Sequence, residues 1–171
     1  VYLAEHIFLK TRVAVKIMRL PDLDQADFLR EVEIIGQLVH PHIVPAYDGG
    51  VEGELRYLAM AYAANGSMRE RYPKRGRLAP FEVVHYVRQA ADALYYAHSR
   101  NIIHRDIKPE NMLLGPQNEL WLSDFGLSLE LPSSRSLSLQ ELAGTLNYMA
   151  PEQAHGKPRF ASDQYSLAAV A

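Results

Sequence analysis

The sequence predicts an α+β fold with two lobes, a strand-rich front and a mainly helical back. Short β-branched runs surround one amphipathic segment in the first third, and long helical patterns begin after Asn65-Gly66. We therefore divide the chain into a front part over residues 1–60, a connecting segment over residues 61–65 and a back part over residues 66–171. A chain of 171 residues corresponds to about one domain with a sizeable core.

The front part is predicted to contain strands and one helix. Residues 13–18 form a β-branched run, and two further strand-like runs, residues 43–47 and 55–60, flank a predicted turn at Asp48-Gly49-Gly50. The helix should end at His40-Pro41, because the residue before a proline disfavours helix. Its inward face is expected to consist of Phe28, Val32, Ile35 and Leu38.

The back part is predicted to begin with a long helix over residues 80–100, with Pro80 in the first turn. Two short apolar runs, residues 112–114 and 120–122, are separated by Gly115-Pro116 and predict a small hairpin. Another helix should begin in the last stretch of the chain. The long helix is expected to present one apolar stripe, made of Val83, Val87, Ala91, Leu94 and Ala97.

Composition excludes several classes of protein. The 18 Lys and Arg residues against 20 Asp and Glu give a formal net charge of −2, which argues against a strongly basic nucleic-acid binder. The absence of cysteine excludes a disulfide scaffold, a thiolate metal site and a cysteine nucleophile. The sequence contains no run of about 18 apolar residues, so it predicts no membrane-spanning segment. Both ends of the sequence have the character of cut ends, so we expect a fragment of a longer protein.

Two charged residues of the front part are candidates for an ion pair. Glu31 lies between Phe28 and Ile35 on the helix face predicted to be buried, where a carboxylate needs a partner. Lys16, in the apolar strand over residues 13–18, is a candidate cation. The alternative is that Glu31 lies at the edge of the stripe and Lys16 reaches solvent. These residues alone favour the alternative.

Two further clusters contain groups suited to phosphate or metal chemistry. In the polar segment 104–111, Asp106 could accept a proton from a hydroxyl and the Asn111 oxygen could ligate a hard cation. Asp124-Phe125-Gly126 follows an apolar strand, so the carboxylate could meet Mg²⁺. Taken singly, the residues of the first cluster would be interpreted as a solvated loop and the second cluster as a common turn.

The order of these elements decides between the alternatives. Lys16, Glu31, the 104–111 segment, Asp124-Phe125-Gly126 and Ala150-Pro151-Glu152 follow one another as in protein kinases. The whole chain closely resembles a eukaryotic-type Ser/Thr protein kinase catalytic domain of the bacterial branch. The resemblance makes residues 1–171 a partial kinase domain, without the glycine-rich loop and the C-terminal helices. Residues 1–60 would be the N-lobe part, 61–65 the hinge and 66–171 the C-lobe part.

The resemblance implies catalytic and metal-binding roles. Lys16 would hold the α- and β-phosphates of ATP and pair with Glu31. Asp106 would be the catalytic base, and Lys108 would neutralise charge on the transferred phosphate. Lys108 two residues after the aspartate is also the Ser/Thr-type pattern. The Mg²⁺ ligands would be Asn111 and Asp124.

The resemblance also implies residues that bind the adenine and support the site. The adenine contacts would be the side chains of Val1, Ala14 and Leu113, the backbone of Ala61 and Ala63, and Met60 at the rear. Asp163 would brace the catalytic loop, and His104 and Phe125 would pack in the core. Arg105 would meet a phosphate on the activation segment, carried by the serine cluster over residues 133–138 or by Thr145.

The implied function is transfer of the ATP γ-phosphate to Ser or Thr hydroxyls of proteins, including autophosphorylation, with a dimer for that step. The partners would be protein substrates and ATP, with no nucleic acid. The domain would be cytoplasmic, in a parent protein that a membrane anchor could hold. Two alternatives remain, a nucleotide-binding but inactive signalling module and an interaction domain with an empty pocket.

Overall fold

The front of the chain is a four-stranded antiparallel sheet in a computed structural model that describes residues 1–19, 24–73, 77–125 and 146–171. Strand β2 confirms the predicted strand over residues 13–18, and its register places Ala14 opposite Met60. The strand order is β1-β2-β4-β3. The strands are β1 (Tyr2–Glu5), β2 (Arg12–Arg19), β3 (Ala46–Glu52) and β4 (Leu55–Ala61).

Helix α1 (Gln25–Gly36) packs against β3. The Asp24 side chain accepts a hydrogen bond from the Ala26 amide at 2.7 Å, which caps the first turn. The predicted inward face is confirmed, because Phe28 and Ile35 are buried and Val32 is half-buried. The helix ends at Gly36, four residues before the predicted end, and buried Leu38 continues the apolar face beyond it.

The predicted turn at Asp48-Gly49-Gly50 is wrong, because these residues lie inside β3. The reversal follows at Gly53, whose φ of 60° suits a residue without a Cβ. Gly49 has a different reason to be glycine. A Cβ there would lie 2.7 Å from the Val32 Cγ1, so glycine permits the close approach of α1 to the sheet.

Residues 42–44, between α1 and β3, form a short linker that is hydrogen-bonded to the back part. The Val44 amide donates to the Leu122 carbonyl at 2.9 Å, and the Leu122 amide donates to the His42 carbonyl at 2.9 Å. This parallel pairing attaches residues 42–44 to the predicted hairpin, which is confirmed as β5 (Met112–Leu114) and β6 (Leu120–Leu122). As a result, the predicted strand over residues 43–47 is divided between this linker and the start of β3.

The back part is mainly helical, which confirms the α+β prediction. Its longest helix confirms most of the predicted apolar stripe, because Leu94 and Ala97 are buried and Val87 packs against the core, but Ala91 is exposed. The buried residues of that helix are Tyr86, Ala90, Ala93, Leu94 and Ala97. The small alanines allow its close approach to β6 and to the last helix. The helices are α2 (Met68–Arg71), α3 (Pro80–His98), a 3-10 turn (Pro109–Asn111), α4 (Pro151–Ala154) and α5 (Phe160–Val170).

Two apolar clusters form the core. The larger one lies under α3 and includes the buried residues of β5 and β6. The smaller one joins the sheet to α1 and includes Met60 and Ala61, with the half-buried Trp121 of β6 packed against it. Within the described ranges, no helix combines the length and the apolar character needed to cross a bilayer.

Candidate functional site

The segment over residues 104–111 is held by one buried carboxylate. Asp163 of α5, 1% exposed, accepts hydrogen bonds from the backbone amides of His104 and Arg105, both at 2.8 Å. Its Oδ2 also lies 2.7 Å from the His98 Nε2 at the end of α3. Gln153 donates to the Arg105 carbonyl from the other side. These bonds hold Arg105 at a φ of 69°, a conformation that a non-glycine residue rarely adopts.

Asp106 lies at the centre of this segment. The Asn111 Nδ2 donates to the Asp106 carbonyl and to its Oδ2, each at 2.8 Å, and the Lys108 Nζ lies 2.8 Å from the same Oδ2. The second carboxylate oxygen, Oδ1, is buried and has no hydrogen-bond partner among the described residues. One oxygen is therefore fixed by two donors, and the other is left to accept a proton from a bound molecule.

Asp124 follows β6 and lies beside the end of the 104–111 segment. The amide and the hydroxyl of Ser123 donate to the Asn111 carbonyl at 2.9 and 3.2 Å, which brings Asp124 next to Asn111 in space. The Asp124 Oδ1 accepts a hydrogen bond from the Lys16 Nζ at 2.6 Å. The structure thus brings the lysine of β2 together with the two expected metal ligands.

The ion pair between Lys16 and Glu31 implied by the resemblance is not formed in the described part of the chain, where Lys16 pairs with Asp124. Glu31 is buried on α1, with 4% of its surface exposed, so it lies on the buried helix face and not at the exposed edge of the apolar stripe. The lysine can reach Asp124 because β2 and β6 both border the region between the sheet and the back part.

Most of the residues expected around adenine share one apolar cluster. Ala14, Met60, Ala61 and Leu113 all belong to the cluster between the sheet and α1, whereas Val1 is 80% exposed at the chain terminus. In the connecting segment, two of the backbone groups near the expected adenine position are already hydrogen-bonded within the protein. The Ala61 amide donates to the Pro45 carbonyl at 2.9 Å, and the Ala63 carbonyl accepts from the Gly66 amide at 3.1 Å.

His104 and Phe125 pack together beneath the site, as expected. Their ring centroids are 4.4 Å apart, and both side chains are buried. Burial lowers the pKa of His104, more than the nearby carboxylates raise it, so the ring is neutral at neutral pH. The imidazole therefore supports the loop by packing and by accepting the Asp106 amide at its Nδ1, 3.3 Å away.

Sequence reasoning missed an ionic network at the edge of the site. Arg69 of α2 donates from Nε to the Glu110 Oε1 at 2.7 Å and from Nη2 to the Tyr148 Oη at 2.7 Å. Glu110 belongs to the 104–111 segment, but α2 has only four residues. Such a short helix has no periodicity from which the direction of Arg69 could have been predicted.

The remaining candidates and the question of a metal depend on what the structure describes. Gly126, the serine cluster over residues 133–138 and Thr145 lie outside the described residues. Among those that are described, no group of three or more His, Cys, Asp or Glu side chains is arranged to hold a metal. A cation at Asn111 and Asp124 would therefore need oxygens from a bound ligand, which is how Mg²⁺ binds with phosphates.

A sheet joined to a helical part, with a lysine–aspartate pair facing an anchored Asp-x-Lys-x-x-Asn segment, defines the kinase class of phosphotransferase folds. Residues 1–171 match the family model described as "Protein kinase domain". The chain is a member of the protein kinase domain family.

Curated relatives come from bacteria and from animals. The chain is 35% identical over 99% of its length to "Serine/threonine-protein kinase PrkC" of Bacillus subtilis (strain 168), of which it covers 27%. It is 40% identical over 92% of its length to "Aurora kinase A-A" of Xenopus laevis, of which it covers 39%. It is 36% identical to "Aurora/IPL1-related protein kinase 2" of Caenorhabditis elegans over 99% of its length and 55% of the relative. The chain thus spans between about a quarter and just over half of these relatives.

Proposed function

We propose that the protein containing this chain is a Ser/Thr protein kinase that transfers the γ-phosphate of ATP to hydroxyl groups of proteins. The observation that carries the proposal is the hydrogen bonding of the two Asp106 carboxylate oxygens. Its Oδ2 is oriented by Asn111 and Lys108, and its buried Oδ1 lacks a partner among the described residues. A substrate hydroxyl would satisfy this oxygen, give up its proton there and attack the phosphate, with Lys108 balancing the charge.

Nucleotide binding is assigned to the region between the sheet and the back part. The adenine would lie on Ala14, Met60 and Leu113, which share one apolar cluster. Because the Ala61 amide and the Ala63 carbonyl are already bonded, the remaining groups for adenine are the Ala61 carbonyl and the Ala63 amide. Val1, which is exposed at the chain terminus, would complete the adenine contacts.

Lys16 and Glu31 are assigned to the phosphates and to their support. The ammonium that now contacts Asp124 would turn to the phosphates when nucleotide binds, and buried Glu31 would hold the lysine in that position. This exchange is the same for every nucleotide with an α- and a β-phosphate. It therefore predicts that Lys16 contributes to ADP binding as well as to ATP binding.

The ligand set for Mg²⁺ would be Asn111 and Asp124. The Asn111 side-chain nitrogen makes two hydrogen bonds to Asp106, so the side-chain oxygen Oδ1 of Asn111 is the atom left for a cation. Asp124 offers carboxylate oxygens on the facing side. The bound ion would neutralise charge on the phosphates during transfer.

Substrate class and setting follow from the same proposal. Lys108 has the spacing of Ser/Thr-type members, and the printed name of the Bacillus subtilis relative is that of a Ser/Thr protein kinase. Autophosphorylation on the serines of residues 133–138, in a dimer, would be one reaction of this site. Because the reaction consumes ATP, we propose a cytoplasmic setting for the domain.

The deciding experiment compares the full natural protein with its Asp106→Asn variant in the presence of Mg-ATP. We expect phosphate on Ser or Thr of the parent and of an added protein substrate, measured by intact mass and peptide mapping. The variant should bind Mg-ATP equally well and transfer no phosphate. Equal transfer by both proteins would refute the role of Asp106. Binding of Mg-ATP with transfer by neither would favour the inactive signalling module, and the absence of binding would favour an interaction domain.

A further inference from the structure

The peptide unit that joins Arg105 to Asp106 is hydrogen-bonded at both of its polar groups. Its carbonyl, which belongs to Arg105, accepts a hydrogen bond from the Gln153 side-chain nitrogen. Its N–H, which belongs to Asp106, donates to the His104 Nδ1 at 3.3 Å. Both groups lie in one plane, because the peptide bond itself does not rotate. The plane therefore keeps its orientation as long as these two bonds hold, and that orientation sets the direction in which the Asp106 side chain leaves the backbone.

The amides that precede this unit are held by a different group. Asp163 accepts hydrogen bonds from the His104 and Arg105 amides, but the Arg105 carbonyl belongs to the next peptide unit. A rotation about the ψ angle of Arg105 would leave both bonds to Asp163 intact and turn the 105–106 unit. Arg105 also has a φ of 69°, which a non-glycine residue adopts only under constraint. The carbonyl therefore needs a partner of its own, and Gln153 supplies it.

The helix that carries Gln153 is attached to the helix that carries Asp163. Glu152, the neighbour of Gln153 on α4, accepts a hydrogen bond from the hydroxyl of Ser162. Ser162 is fully buried at the start of α5, directly before Asp163. The first turn of α5 thus holds the loop amides through Asp163 and holds α4 through Ser162. These contacts form a closed ring, in which Gln153 makes the last link to the loop.

The side chain of Gln153 makes one hydrogen bond within the described ranges, the donation to Arg105. Its oxygen, Oε1, is buried and has no hydrogen-bond partner among the described residues. A carbonyl accepts only from a donor, so the amide orientation of Gln153 is fixed by this contact. The donor nitrogen is therefore the part of the side chain that acts on the loop.

We infer that Gln153 is a positioning residue, which fixes the 105–106 peptide unit and thereby aims the Asp106 Oδ1 at the acceptor hydroxyl. The inference rests on the proposed function. From the other side, Asn111 holds the Asp106 carbonyl and Oδ2. With Gln153 in place, the backbone is fixed on both sides of the Asp106 Cα, so the base is oriented before the substrate binds.

The test uses the full natural protein and the Ser peptide that the parent phosphorylates fastest in a peptide library. The quantity measured is the single-turnover rate of phosphoryl transfer, because it reports transfer and not product release. Gln153→Met keeps the length of the side chain and removes the donor. We expect this variant to bind Mg-ATP with the Kd and stoichiometry of the parent and to transfer phosphate about tenfold more slowly, which corresponds to about 1.4 kcal/mol.

Two further variants identify the bond itself. Gln153→Glu keeps the shape of the side chain but places an acceptor against the Arg105 carbonyl, so its transfer rate should fall at least as far as that of Gln153→Met. Gln164→Met is the matched control. Gln164 is exposed on α5 beside Asp163, and its side chain makes no hydrogen bond in the described part of the chain, so the transfer rate should stay at the parent value.

Hydrogen exchange at single-residue resolution supplies a readout that does not depend on activity. In Gln153→Met the Asp106 amide should exchange at least tenfold faster than in the parent, because its peptide unit is released. The His104 and Arg105 amides should keep the parent rate, because Asp163 still holds them. A general loss of structure would instead accelerate all three amides together. If Gln153→Met does not fold, Gln153→Glu gives the same comparison.

The outcomes separate this inference from the proposed function. Parent-like transfer rates in Gln153→Met and Gln153→Glu would overturn the inference and leave the kinase assignment standing. An equal loss of rate in Gln164→Met, or equal acceleration of the three amides, would also overturn it. If the parent binds Mg-ATP but phosphorylates no peptide or protein, the proposed function is contradicted. The exchange pattern then still decides whether Gln153 holds the 105–106 peptide unit.

Discussion

At the scale of single residues, the 104–111 segment depends on the carboxylate of Asp163. In Asp163→Asn the side-chain nitrogen would face backbone donors or the His98 ring, so at least one buried bond is lost. We expect the free energy of unfolding to fall by about 1–3 kcal/mol and kcat to fall with it. Denaturant unfolding and steady-state kinetics would measure both.

The control for this prediction is Asp92→Asn on α3. Asp92 lies 3.4 Å from the His40 Nε2 but is 60% exposed, so its loss should change stability by less than about 1 kcal/mol and leave kcat unchanged. Equal effects of the two substitutions would contradict the anchoring role of Asp163.

Buried His104 gives the protein a component of acid sensitivity. Its pKa is lowered in the folded state by burial, from an ordinary value of 6.5. The unfolded chain therefore binds a proton below about pH 6.5 that the folded chain does not, so stability falls as the pH decreases through this range and is fully present above it. In His104→Gln the slope of unfolding free energy between pH 6.5 and 5 should be smaller than in the parent. Identical slopes would refute the assignment.

At the scale of elements, α3 tests how tightly the core packs. Ala90 is fully buried and Ala91 is exposed, one position apart on the same helix. Ala90→Leu should lower the free energy of unfolding by about 1–3 kcal/mol through overpacking. Ala91→Leu should change it by less than about 0.5 kcal/mol. Urea unfolding of the two variants gives the comparison, and a larger loss for Ala91→Leu would contradict the burial of Ala90 and favour the position predicted for Ala91.

The elements also indicate which kinds of information a sequence contains. β2 and the hairpin of β5 and β6 were predictable because their β-branched and apolar runs are local signals. The exposure of Ala91 on α3 was not predictable, because Ala90 and Ala91 are chemically identical and only the neighbouring elements decide which one is covered. The turn predicted at Gly49 was wrong for a related reason, because the missing Cβ of this glycine permits the close contact with Val32 and does not mark a turn.

The site divides in the same way. Asp106, Asn111 and Asp124 were assigned through the resemblance to protein kinases, whose motifs they match in order, and not from the residues taken singly. The bond of Lys16 to Asp124 and the reach of Arg69 to Glu110 join residues far apart in the chain, so no local pattern indicated them.

At the scale of the whole molecule, residues 42–44 connect the sheet to the back part. Ile43 is 3% exposed and belongs to the larger cluster, while its neighbours pair with Leu122. We expect this domain to unfold in one calorimetric transition. Ile43→Ala should lower its Tm by about 5–15 °C, from a loss of roughly 2–5 kcal/mol. Two separate heat-absorption peaks in the parent would contradict such a connection, with the exposed Val39→Ala as the control for a substitution outside the core.

The position of Trp121 has a spectroscopic consequence. It is the single tryptophan of the chain, and it extends from β6 onto the cluster that contains Ala14 and Met60. Its indole therefore borders the surface on which we place adenine, and its fluorescence within this chain comes from one environment. Titration with nucleotide should quench or shift that emission, so binding to the cleft can be followed optically without any attached label.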